Sequence, residues 1–311
     1  MVFINALQSV FSILIMISIG CILTARKWFD EELARLFSRI IINITLPALM
    51  VHNMVTSFTG DELLALLGGL RIPFITILVS YLISISVSHV FDIPRNRRGL
   101  FRTMFAFSNT IFIGLPVNIA LFGEISVPYV TLFYIANTTL FWTLGIYEIR
   151  RDDGAVEGIF SMETVKRIFS PILMAFIISV ILVLVGFKLP NFILDTLKYM
   201  SNLTTPLSML TIGIIIYQIR PDEFKINRDL ILILLGRFLL SPLIAYSVFK
   251  LFGGSFLMLK VFVIEAAMPV MTTIAIVGHA YNADHRYASV MVTISTIISL
   301  IMIPIYMYLL G

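Results

Sequence analysis
The sequence predicts an all-α polytopic membrane protein of ten transmembrane helices arranged as two inverted five-helix repeats. Three observations lead there. Of the 311 residues, 59% are hydrophobic and 13% charged, with a mean hydropathy of +1.00; soluble domains carry roughly twice that share of charge. Apolar runs of about twenty residues, the length that crosses the hydrocarbon core, recur between short polar connections. Two of these runs, residues 105–123 (FAFSNTIFIGLPVNIALFG) and 261–278 (VFVIEAAMPVMTTIAIVG), hold proline and polar residues at mid-span, one in each half of the chain.

The spans lie near residues 3–24, 33–55, 63–90, 100–122, 127–149, 166–187, 191–218, 229–252, 256–281 and 286–310. The first has no basic residue before it, is too long for the apolar core of a cleaved leader, and is followed by Arg26 and Lys27. Odd-numbered connections hold Arg26, Lys27, Arg35, Arg95, Arg97, Arg98, Arg102, Arg150, Arg151, Lys166, Arg167, Arg220, Lys225, Arg228 and Arg286. The even ones hold chiefly Arg71, Lys188, Lys198, Lys250 and Lys260. The basic side of such a protein is cytoplasmic, so both termini are expected outside a cell membrane that the chain crosses many times. The net charge of +4 and pI near 9.2 reside in these topology signals and point to a lipid bilayer, not to nucleic acid. Cys21 is the only cysteine, which excludes an internal disulfide.

The two halves resemble each other. Asn43, Thr45 and Pro47 in span two match Asn202, Thr204 and Pro206 in span seven; Leu82, Ile83, Ser86, Val87 and Phe91 in span three match Leu243, Ile244, Ser247, Val248 and Phe252 in span eight. A repeat of five spans is odd, so the second copy sits upside down, as in secondary transporters. Residues 1–149 form the first repeat, 150–165 a cytoplasmic linker, and 166–311 the second repeat.

A proline inside a helix removes a donor and collides with the preceding turn. Spans four and nine are therefore expected to break, near residues 112–118 and around Pro269, and to need partners found only inside protein or a wet cavity. Pro116 and Pro269 suit the first position of a new half-helix. The amides that follow, at Val117 and Asn118 or from Val270 to Thr272, are candidates for holding a carboxylate. The preceding carbonyls, with Ser108, Asn109 and Glu265, are candidates for a cation or proton. Proline kinks that serve only packing are the alternative. Glu265 in lipid must be protonated or paired, which makes it a candidate coupling group; a structural partner for Lys260 or a neighbouring amide is the alternative. Arg39 and Arg237 either face the anion or, as is commoner, snorkel to the interface. Asn137, Thr138 and Thr139 either line the same cavity or bond between helices.

The remaining features call for no chemistry. His279, Asp284 and His285 fall in a helix end and turn, HAYNADH, without a zinc-binding pattern, and Asp152 and Asp153 belong to the polar linker. Trp28 and Trp142 suit the membrane interface or helix packing. No nucleophile, metal or paired-acid motif marks an enzyme, and no cofactor is implied.

Several stretches resemble the auxin efflux carrier family: LPAL at residues 46–49, NTIFIGLPVNIALFG at 109–123 and AMPVMTTIAIVGHAYNADHRYASVMVTISTIISLIMIPIY at 267–306. The resemblance implies a scaffold of helices 1, 2, 6 and 7, a moving domain of helices 3–5 and 8–10, and broken helices 4 and 9 that cross near their prolines. It further implies elevator-type exchange of a small organic anion such as a malate-, malonate- or auxin-like acid, and a homodimer. Asn109, Gly114, Pro116, Asn118, Asn137, Pro269 and Thr272 would bind the substrate. Bile acid sodium symporters share that fold, and likeness to their sodium site assigns Ser108, Asn109 and Glu265 to sodium or proton coupling. The chain lacks the long central loop of many plant members and resembles the prokaryotic type, for which auxin is not the expected cargo.

Overall fold
The computed structural model describes residues 2–60, 66–152, 171–217, 227–281 and 283–310. Residues 153–165 of the expected linker, with Asp153, Lys166, Arg167, Arg220 and Lys225, lie outside them. Among the described residues the chain is all-helical, without strands apart from one isolated bridge. Six helices there are long and apolar enough to cross a membrane: Glu31–Thr56, Leu66–Val90, Glu124–Arg151, Asn191–Tyr217, Arg228–Phe252 and Arg286–Leu310. Leu14–Ala25, Thr110–Phe122 and Pro171–Val185 are shorter apolar helices.

Helix starts follow side-chain chemistry. Asp30, Asn227 and Ser255 each accept a hydrogen bond from the backbone N–H three residues on, capping Glu31–Ile40, Arg228–Leu235 and Phe256–Ala266. Prolines leave a different mark. The π-turns Ile41–Thr45, Thr110–Gly114 and Gly236–Leu240 each end two residues before a proline, at Pro47, Pro116 and Pro242. An extra residue in the turn moves the carbonyl that the pyrrolidine ring would strike, and the helix continues. A fourth π-turn, Phe141–Gly145, has no proline; a Cβ at Gly145 would lie 2.8 Å from the Phe141 ring and 3.2 Å from that of Phe107.

The chain forms two compact units. One comprises Met1–Gly69, Ile111–Thr131 and Phe169–Ile219. In it Val2–Ala25 packs along Thr204–Tyr217, and Leu46–Ser57 against Pro171–Val185. The first pair touches backbone to backbone: a Cβ at Gly213 would sit 2.3 Å from the Ile17 carbonyl oxygen, and one at Gly20 would sit 2.6 Å from that of Leu210. Only glycine fits both positions, as in close-packed membrane helix pairs.

The other unit comprises Leu70–Thr110, Leu132–Ile168 and Arg220–Gly311. Arg71–Val90 packs on Arg98–Ala106 and Ser241–Phe252, and the latter on Phe256–Ala266. Polar residues gather its connections at two ends. At one, Arg97 pairs with Asp284 at 2.7 Å, Arg150 stacks over Tyr281, and Arg228 donates to the Phe91 carbonyl at 2.5 Å; at the other, Arg71 stacks over Phe252. Asp284 also accepts from the Tyr287 N–H, so the start of helix His285–Leu310 is tied to Arg97.

Candidate functional site
Arg98–Ala106 ends where Phe107 turns extended, at φ −101° and ψ 130°, and helical backbone resumes as the π-turn from Thr110. Phe256–Ala266 ends at Ala267, and Thr273–Ala280 begins after six residues that contain Pro269. The two unwound segments pair. Ser108 faces Val270 in an antiparallel bridge: the Asn109 N–H donates to the Pro269 carbonyl at 2.9 Å and the Met271 N–H to the Phe107 carbonyl at 3.3 Å. Backbone groups released from two helices thus satisfy one another, which an apolar surrounding demands.

Side chains complete the pairing. Asn137, fully buried, accepts from the Ser108 N–H at 3.2 Å and donates to its carbonyl at 3.0 Å, taking the place of a third strand. The Val270 N–H donates to Ser295 Oγ at 3.1 Å. Arg237, 1% exposed, donates through Nε and Nη2 to the Met268 carbonyl, through Nη2 to Ala266 at 2.7 Å, and through Nη1 to Ala106 at 3.0 Å and Phe105 at 3.4 Å. Glu265, fully buried, directly precedes Ala266, whose carbonyl Arg237 holds. Gly236 makes the approach possible: a Cβ there would lie 2.4 Å from the Phe105 ring. Ser108 Oγ and Thr138 Oγ1 are buried without a hydrogen-bond partner among the described residues. At the start of Thr273–Ala280, Met271, Thr272 and Thr273 are only half-buried.

Ser108, Asn109, Asn137, Glu265, Pro269 and Thr272 thus fall in one unit, at or within a few residues of the pairing. Gly114, Pro116 and Asn118 belong to the other, where Asn118 Nδ2 donates to the Gly114 carbonyl at 2.9 Å and all three are buried.

The structure changes four of the expectations. The first interruption lies at residues 107–109 and not at 112–118, because the π-turn absorbs Pro116 inside a helix that has already restarted. The Val270 and Met271 amides are engaged by Ser295 and Phe107 and are not open to an anion. Arg237 does not snorkel; five carbonyl contacts hold it inside. Arg102 is no connection residue but is buried, pairing with Glu148 at 2.8 Å while donating to Ser88; Tyr81 donates to the same carboxylate at 2.5 Å. Arg237 had a visible signal, a cation deep in an apolar span. Ser295 had none, being one of several hydroxyls in its helix.

Interrupted helices inside apolar spans recur in membrane carriers. The family described as membrane transport protein matches residues 5–307. The chain belongs to that family. This bears out the resemblance to auxin efflux carriers. Its relatives include an uncharacterized transporter of Methanothermobacter thermautotrophicus, 30% identical with 98% of this chain and 99% of the relative covered. Another, from Methanocaldococcus jannaschii, is also an uncharacterized transporter, 26% identical over 96% of each chain.

Proposed function
We propose that this membrane transport protein is a secondary active transporter of a small organic anion, a mono- or dicarboxylate, working by elevator-type alternating access in the cell membrane with both termini outside. The pairing of Ser108 with Val270 carries the reading. Interrupted backbone inside an apolar span persists where it is enclosed by protein or lines a cavity, and carriers bind their cargo at such breaks. The half-buried Thr272 and Thr273 stand at a helix N-terminus, the end that favours an anion. Asn109, Asn137, Pro269 and Thr272, all in the unit that holds the pairing, remain proposed substrate residues.

Ten spans in two inverted repeats belong to the same reading. Exchanging spans one to five with six to ten maps the packing of span one on seven onto that of six on two, and of three on four onto eight on nine. It also maps Asn137, which serves Ser108, onto the span from which Ser295 serves Val270. The unit holding spans one, two, six and seven, together with residues 111–131 of spans four and five, supports a scaffold, through which a homodimer would form; the unit holding the pairing supports the moving part.

Counterflow tests the proposal. Liposomes preloaded with unlabelled malonate or malate should accumulate the labelled acid through a carrier. A channel shows no such trans-stimulation, and an enzyme returns a chemically altered acid. A second reading, coupling to protons or sodium, is favoured by the complete burial of Glu265 in an apolar span, one residue before a carbonyl that Arg237 holds, with Ser108 and Asn109 as its companions. Glu265→Gln should then abolish dependence on pH or sodium and leave binding detectable by thermal shift; unchanged ion dependence removes Glu265 from the mechanism.

A further inference from the structure
The half-helices Arg98–Ala106 and Phe256–Ala266 both end at the unwound segments. The last carbonyls of a helix have no partner within it, and each such end carries about half a negative charge. Two ends brought to one place in an apolar surrounding form a cation site. Here the cation is the protein's own. Arg237 reaches the carbonyls of Phe105 and Ala106 from the first half-helix and those of Ala266 and Met268 at the end of the second.

A guanidinium has five N–H donors in a rigid fork. Nε donates once, Nη1 twice and Nη2 twice, each time to a main-chain carbonyl, so the fork is fully engaged. No donor remains for a solute carboxylate. A buried arginine beside a candidate anion site invites a substrate-binding role, and this geometry gives it another. We propose that Arg237 is the positioning residue of the paired break, a resident cation whose five donors satisfy the carbonyls of the two helix ends and hold them together. Lysine is a poor replacement, because a compact ammonium with three donors cannot span carbonyls arriving from two helices.

The inference deepens the transporter reading, yet its test needs no transport, so the two fail separately. Purified protein is unfolded thermally in detergent with no carboxylate present. Arg237→Ala should melt roughly 6 °C below the unsubstituted protein, as loss of one partner from a buried charged cluster implies. Millimolar guanidinium chloride should restore at least half of that deficit by refilling the space. Tetramethylammonium chloride, of equal charge but too large and without donors, should restore none, and the unsubstituted protein should respond to neither. Equal responses to the two salts, or an alanine variant as stable as its parent, overturn the proposal. If Arg237→Ala yields no folded protein, Arg237→Lys decides: it should melt below the parent with no recovery in guanidinium, and parental stability would refute the role.

Discussion

The two interruptions differ in a way that separates cause from accompaniment. The second, at residues 267–272, contains Pro269, as a proline-driven break should. The first, at Phe107, Ser108 and Asn109, contains neither proline nor glycine, although Pro116 lies only seven residues downstream. There, and again at Pro47 and Pro242, the helix answers the proline by widening one turn and going on. A proline therefore does not unwind a helix by itself in this protein. Unwinding occurs where other groups receive the freed amides and carbonyls: Asn137 and the facing backbone for Ser108, Ser295 for Val270, and Arg237 for the helix ends. Each partner removes the cost of a buried, unsatisfied polar group.

That contrast can be broken by removing the partners and leaving the prolines. The largest effect is expected from Asn137→Leu, which leaves the Ser108 N–H without its partner and its carbonyl with only the Thr110 N–H at 3.0 Å; reversible denaturation in mixed detergent should show a loss of about 3 kcal/mol. A loss below about 1 kcal/mol would mean that Ser108 does not depend on it. Gly236→Ala comes next. Its Cβ would meet the Phe105 ring at 2.4 Å and push span eight, with Arg237, away from the carbonyls. Overpacking of this kind costs about 2 kcal/mol, and protease susceptibility near residue 107 should rise with it. Ser295→Ala removes one acceptor from the Val270 amide and should cost about 1 kcal/mol by the same denaturation assay. Pro116→Ala is expected to change least, by under about 0.5 kcal/mol, since an ordinary α-turn can replace the π-turn. If Pro116→Ala proved more damaging than Ser295→Ala, proline would be restored as the cause of the break.

Much of this was legible in the sequence, for reasons that the same residues explain. Polar residues inside a long apolar run are few, so Ser108, Asn109, Asn137, Glu265 and Pro269 stood out, and the structure meets them again around one pairing. The family was legible in the proline-containing stretches of residues 109–123 and 267–306. The position of the first break was not, because proline advertises a kink while the acceptors that permit unwinding sit in other spans. Asn137 is 29 residues from Ser108 and Arg237 is 131 from Ala106. Bonds to main-chain carbonyls carry no residue signature at the receiving end, so nothing about Ala106, Ala266 or Met268 announced a guanidinium. The Arg102, Glu148 and Tyr81 cluster was hidden differently. Its arginine and glutamate lie next to true connections, where charge is ordinarily a marker of topology.

The rung between Ser108 and Val270 brings a second periodicity into a helical protein. In extended backbone successive side chains point to opposite sides, so Ser108 shares a side with Val270, while Phe107 and Asn109 share the other with Pro269 and Met271. A cysteine scan through residues 107–109 and 269–271 should accordingly alternate in its phenotype, odd against even on each segment, in place of the every-third-or-fourth rhythm of the flanking helices.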